Sequence, residues 1–190
     1  MKREVADKTI LEKFAEDFVR VIEKYSKYVI VSGFVAIIHG RSRGTEDIDM
    51  IIEKISLEKF RELHNALVDA GFECMQSEKA EIIYNEYLAN GDSVRYTRKG
   101  EFLPEMEIKF AKDSLDEHQL KTRQRLELTG MDVYFSSIEA NIAFKEEYLK
   151  SDKDLEDARH LRIIYKDKIN EGEIEKIKKE INRLRMKNEI

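Results

Sequence analysis

Cysteine and proline each occur once in these 190 residues. A lone cysteine, Cys74, excludes an intramolecular disulfide and a zinc site built from cysteines. Glutamine is scarce while Lys, Glu and Ile abound, a balance found in thermophilic proteins. Long hydrophobic runs are missing as well: "YVIVSGFVAII" is broken by Ser32 and Gly33 and is too short to span a bilayer. The stretch "MKREVADKTI" has no apolar signal core, so a cytoplasmic protein with no membrane partner is expected. The formal charge of −5 is mild and excludes a surface that serves throughout as a nucleic-acid platform. What remains is a chain long enough to bury a core without staples.

Periodicity places the elements. Leu11, Phe14, Phe18, Val21, Ile22 and Tyr25 recur at three-and-four spacing and predict an amphipathic helix over 7–26. "YVIV" (28–31) reads as a strand, "FVAIIHG" as a short helix ending at Gly40, and "DIDMIIEK" (47–54) as the second strand. Ser56 is placed to cap "LEKFRELHNALVDAGF", a helix stopped by Gly71. "KAEIIYNEYLAN" is expected to be helical, "SVRYTRKG" and "EMEIKFA" to be strands, "LDEHQLKTRQRLEL" a helix and "MDVYFSS" a strand. From Ser136 onward the reading is all helix. Ser136 with Glu139 forms a capping box, Ser151 caps "KDLEDARHLRIIYKDK", and Ile174, Ile177, Ile181 and Leu184 form a narrow seam on the last helix. That seam suits docking on its own domain or on a second copy in a homodimer. The organisation is an α/β core over 1–135 followed by a helical region over 136–190 packed on it.

The stretch "RGTEDIDMII" (43–52) raises the chemical question. Ile48, Met50, Ile51 and Ile52 read as a buried strand, yet Asp47 and Asp49 sit inside it. Residues two apart on a strand share a face, roughly 6–7 Å apart along the chain. Like charges there repel and gain nothing for folding, so a cation belongs between them. Upstream, Ser32-Gly33 follows an apolar strand and opens a helix. Glycine lets backbone approach a phosphate, and the serine hydroxyl adds a donor. A phosphate-holding turn beside paired carboxylates is the apparatus of in-line phosphoryl or nucleotidyl displacement. Glu107 in "EMEIKF" is the best third acid, because apolar residues flank it as they flank Asp49; Glu105 shares its face and is the second choice. The competing reading is a strand that merely starts with two solvated aspartates. Arg41 could hold phosphate or balance these acids, and the four histidines show no metal-ligand spacing.

"VSGFVAIIHGRSRGTEDIDMII" resembles the core of the nucleotidyltransferase-fold superfamily: a small-residue pair after a strand, a helix, then a D-x-D strand. "RGTEDID" is similar to the R-x-T-x-D-I-D version of small stand-alone members, among them the AbiEii-like toxin group. Farther on, "AFK" (143–145) and "KDLED" (153–157) are similar to the lysine and the K-D-x-x-D helix of that group. The resemblance implies an α+β fold with a small mixed sheet, flanking helices and a C-terminal helical part. It also implies a nucleoside triphosphate as substrate and Mg2+ or Mn2+ on Asp47, Asp49 and Glu107. Ser32, Gly33, Arg43, Thr45 and Lys145 would then hold the nucleotide, with Asp154 and Asp157 lining the cleft. Salt bridges between Lys145 and those acids are the structural alternative. The family's usual pair is Gly-Gly or Gly-Ser, and its third acid is often Asp, whereas this chain has Ser32-Gly33 and Glu107. The implied reaction moves a nucleoside monophosphate to a hydroxyl on an RNA 3′ end or a protein, with an antitoxin as a candidate partner. The rival readings are a catalytically weak nucleotide-binding module on the same fold and a structural protein that oligomerises through its last helix.

Overall fold

The structure, a computed structural model, describes residues 8–42 and 44–187. Five strands form one mixed sheet: β1 (Tyr28–Val31), β2 (Asp47–Ile52), β3 (Phe72–Cys74), β4 (Val94–Arg98) and β5 (Glu105–Phe110). Their order is β1-β2-β5-β4-β3, and β2 and β5 alone run parallel. The α+β expectation therefore holds. Alternation decides which way each strand faces. Met106, Ile108 and Phe110 of β5 and Ile48, Met50 and Ile52 of β2 are buried in the main core. There they join Phe14 and Phe18 of α1 (Ile10–Ile22) and Phe60 and Leu63 of α3 (Leu57–Asp69). Phe18 meets Phe72 and Tyr96 edge-on, at ring centroids 5.0 and 5.7 Å apart. The opposite face of β2 and β5 carries Asp47, Asp49, Glu105, Glu107 and Lys109, all partly exposed.

Four local expectations are corrected. The α3 helix ends at Asp69, and Gly71, with φ of +84°, turns the chain into β3, which pairs with β4. A strand of three residues leaves too short an alternation to be read. In "LDEHQLKTRQRLEL" the helix α5 (Ser114–Lys121) stops where the Thr122 hydroxyl donates to the His118 carbonyl at 2.7 Å. Arg123 beyond it donates to the Tyr28 carbonyl at 2.8 Å and lies 4.2 Å from the Tyr134 ring centre. "MDVYFSS" forms no sheet strand; Phe135 makes single bridges to Ile30 and Gln124, and so covers the free edge of β1. Ser137, rather than Ser136, caps the next helix by accepting from the Ala140 amide. Ser136 is fully buried and donates to Gln119 instead.

The helical half comprises α6 (Ile138–Ala143), α7 (Asp152–Ile164) and α8 (Glu171–Met186). Past Ala143 the α6 helix widens into a π-helical stretch, Phe144–Leu149, closed by the Lys150 amide bonding to the Lys145 carbonyl. Arg185 of α8 donates to the carbonyls of Glu147 and Tyr148 at 3.0 and 2.7 Å, satisfying groups that the widened end leaves over. Ile174, Ile177, Ile181 and Leu184 are all buried within the chain, so the apolar seam docks on its own fold. Ile181→Ala is expected to cost about 2–5 kcal/mol in urea unfolding without changing the solution mass. A loss below about 1 kcal/mol would show that the seam packs elsewhere.

Candidate active site

The site is built by register. In the parallel β2–β5 ladder Asp47 stands opposite Glu105 and Asp49 opposite Glu107, while Val31 of antiparallel β1 flanks Asp49 on the other side. One carboxylate oxygen each from Asp47, Asp49 and Glu107 lies within 4.8 Å of the other two. Hydrogen bonds hold these acids in place. Thr45 Oγ1 donates to Asp47 Oδ1 at 2.8 Å. Ser93 Oγ donates to Glu107 Oε1 at 2.8 Å, and Arg95 Nε donates to Glu107 Oε2 at 3.0 Å. Arg95 also approaches Glu105 at 3.5 Å. Thr45 therefore orients an acid, a role that its place before the D-x-D strand did not reveal. Three oxygen donors of like charge, with no thiolate or imidazole among them, fit a hard divalent cation.

Burial, then repulsion from Asp47 and Glu107, pushes the Asp49 carboxyl up to about 6, against a hydrogen bond from Ser32 and the charge of Lys109. Glu105 is also raised, chiefly by burial. Ser32 explains why the small-residue pair is Ser-Gly here. It stands between β1 and α2 (Gly33–Ile38) at φ +66°, ψ −137°, a conformation costly for any residue with a Cβ. Its hydroxyl does not cap the helix; it bonds Asp49. Gly33 is buried against the core. Arg43 lies outside the described residues.

A cavity of about 260 Å³ opens on this face of the sheet, between β1, β2 and β5 and the helices α5 and α6. Ser32, Asp49, Glu107 and Lys145 line it, together with Lys109 and Asp116, which sequence reasoning did not single out. Lys109 was legible as sharing the Glu107 face, but its bond to Asp116 at 3.2 Å depends on where α5 docks. Lys145 is 1% exposed and bonds Asp157 at 2.9 Å and Asp154 at 3.3 Å. Asp157 is wholly buried, and its other oxygen accepts from Arg41 Nε at 2.9 Å. Arg41 also pairs with Glu156. Asp154 and Asp157 are absent from the cavity's lining; they stand behind Lys145 and neutralise it. Their i, i+3 spacing on α7 presents both to one point, as a shared cation partner requires. Arg41 likewise balances α7 rather than Asp47 or Asp49. His39 and His64 are internal, bonded to the hydroxyls of Tyr165 and Tyr96.

No family model matches this chain, and no curated protein matches it in sequence. Among solved structures it is similar to the solution structure of the antibiotic-resistance factor ANT(2″)-Ia, an aminoglycoside nucleotidyltransferase. That match has a TM-score of 0.58 at 14% identity and covers 94% of this chain and 95% of that one. The fold is nucleotidyltransferase-like. The crystal structure of JHP933 from Helicobacter pylori aligns over 93% of this chain and 99% of its own at 13% identity, with a TM-score of 0.37. In the nucleotidyltransferase-like frame, the acids, the Ser32-Gly33 turn and the cavity all lie on the sheet face that α5 and α6 partly cover. No described helix is long and apolar enough to cross a membrane.

Two outcomes follow from this geometry. Asp49 titrates near 3.8 when unperturbed and near 6 in the fold, so folding favours its protonated form. That contribution is full below about pH 4 and is lost as pH rises through 6. In chelator, Asp49→Asn should therefore unfold at higher urea than the wild type at pH 8, by about 2–3 kcal/mol, with the gap closing toward pH 4. Equal stabilities across that range would contradict the crowding of these charges. Asp157→Ala should cost about 3–5 kcal/mol, because it leaves the buried Lys145 with Asp154 alone and Arg41 with the more exposed Glu156 alone. A loss within experimental error would mean that neither cation depends on it.

Proposed function

We propose that this protein is a minimal metal-dependent nucleotidyltransferase, which moves a nucleoside monophosphate from a nucleoside triphosphate to a hydroxyl acceptor. The observation that carries this reading is the meeting of Asp47, Asp49 and Glu107 beside the Ser32-Gly33 turn. A nucleotidyltransferase-like fold supports it. Asp47, Asp49 and Glu107 are the residues to hold Mg2+ or Mn2+, which when bound supplies charge stabilisation at the phosphates and acidifies a hydroxyl. The chain's own groups do the rest. Ser32, Gly33 and Lys145 position the phosphates, Thr45 orients Asp47 beside them, and the likeness of "RGTEDID" adds Arg43 as a nucleotide contact. Asp154 and Asp157 serve the nucleotide by fixing Lys145. Glu107, oriented by Ser93 and Arg95, takes the acceptor's proton. The acceptor oxygen then bonds to the α-phosphorus, the bond to the bridging oxygen breaks, and pyrophosphate leaves. Catalysis is positioning plus preorganised charge.

The acceptor follows from the likeness of "RGTEDID", "AFK" and "KDLED" to the AbiEii-type toxins: an RNA 3′ end or a protein, with an antitoxin as the regulatory partner. A second reading, a nucleotide-binding module with little turnover, draws on one observation. Lys145 already has two carboxylate partners and would have to share itself with a phosphate.

Label transfer separates them. The protein is incubated with each α-labelled nucleoside triphosphate, magnesium and a cell extract containing RNA and protein. Label is expected in a discrete RNA or protein band, falling on the order of 100-fold or more in Asp49→Asn. Undiminished labelling by that variant removes the metal assignment. Calorimetric nucleotide binding with no label from any nucleotide favours the binding module.

A further inference from the structure

The cavity is not furnished for phosphate throughout. Two amides line it, Gln119 from α5 and Asn141 from α6, 5% and 3% exposed. Both are tied to Ser136. Asn141 Nδ2 donates to the carbonyls of Ser136 and Ser137 at 3.1 and 3.0 Å. Carbonyls only accept, so the orientation of this amide is fixed and Oδ1 is left as an acceptor. Gln119 Oε1 accepts from the Ser136 hydroxyl at 2.8 Å, which leaves Nε2 as a donor. Among the described residues no hydrogen bond satisfies Asn141 Oδ1 or Gln119 Nε2. Polar atoms this deeply buried cost about 1–3 kcal/mol each when left without partners. Of the two lysines on the cavity wall, Lys109 is paired with Asp116, and Lys145 keeps Asp154 and Asp157 as partners while it serves the phosphates. Phe144, Tyr148 and Leu149 make the rest of the wall apolar and partly aromatic. A donor and an acceptor held on one serine, beside aromatic rings, suit a flat neutral heterocycle better than a polyanion.

We propose that Gln119 and Asn141 read the edge of the substrate's nucleobase in this cavity. Asn141 Oδ1 accepts from a base N–H and Gln119 Nε2 donates to the neighbouring acceptor, while Phe144 and Tyr148 cover the ring. Adenine and cytosine offer that pair as an amino group beside a ring nitrogen; guanine and uracil offer it as a ring N–H beside a carbonyl. With the sugar held toward the acids, one of these two classes fits. The proposal rests on the transferase reading and names the residues that set its nucleotide preference.

The test is calorimetric titration of the full chain, with magnesium, against the four nucleoside triphosphates and against inorganic tripolyphosphate, which has no base to read. The expected result is at least a tenfold spread among the four nucleotides, with the preferred one bound more tightly than tripolyphosphate. Gln119→Glu keeps the acceptor for Ser136 and deletes the donor. Asn141→Leu deletes the acceptor at similar volume. Each should cost the preferred nucleotide at least tenfold relative to tripolyphosphate on the same variant. Four equal nucleotide affinities, or a preference that survives both substitutions, would overturn the pocket and leave the phosphate site standing. If one variant does not fold, the other carries the test, and equal wild-type affinities overturn the pocket without either. If neither nucleotides nor tripolyphosphate bind, the transferase reading itself fails and the pocket with it.

Discussion

Everything chemical in this fold depends on one ladder of backbone hydrogen bonds, the parallel pairing of β2 with β5. Had the register slipped by one residue, every side chain of one strand would face the other way. The apolar rows pin it. Ile48, Met50 and Ile52 on β2 and Met106, Ile108 and Phe110 on β5 are buried on the core face, so Asp47, Asp49, Glu105 and Glu107 are driven together on the other. The core sets the register, and the register brings four carboxylates onto one face at a cost the core must bear. The raised titration of Asp49 is the local sign of that cost.

A second linkage joins the two halves of the chain. Asp157 takes Arg41 on one oxygen and Lys145 on the other. Arg41 belongs to the segment that leads into the D-x-D strand, and Lys145 to the widened end of α6. A buried triad of this kind is weak evidence for stability, since desolvation offsets much of the attraction. Its geometric effect is clearer: the lysine at the cavity wall is fixed relative to the segment that delivers Asp47 and Asp49. Arg185 acts similarly from α8, holding the carbonyls of Glu147 and Tyr148.

How much of this was legible in the sequence varies with the range of the interaction. Clean alternation in "EMEIKF" identified both Glu105 and Glu107 as facing the same way. The choice between them needed the register, in which Asp49 meets Glu107. The extent of β1, the start of β2 and the seam of α8 followed from apolar spacing, whereas β2 ends at Ile52, two residues short of the expected 54. "MDVYFSS" misled because it alternates like a strand but runs beside the sheet edge and contributes only isolated bridges. Thr45, Ser93 and Arg95 escaped notice as orienting residues, since each acts across a turn or a neighbouring strand. The partners of Lys145 were readable as an alternative, because Asp154 and Asp157 share a helix face. That Arg41 would complete the group was not, because nothing local relates residue 41 to residue 157.

The strand order carries one more consequence. β5 is inserted between β2 and β4, although α3, β3, α4 (Ala80–Ile82) and β4 all precede it in the chain. Asp49 and Glu107 therefore become neighbours only when a non-local, slow-forming pairing closes. Lys145 is made later still, on a helix that α8 must come to hold. During synthesis the emerging polypeptide carries its D-x-D strand long before the partners of that strand exist. An unfinished chain has the motif without the site, so assembly of the acid cluster is itself a checkpoint on completion of the fold.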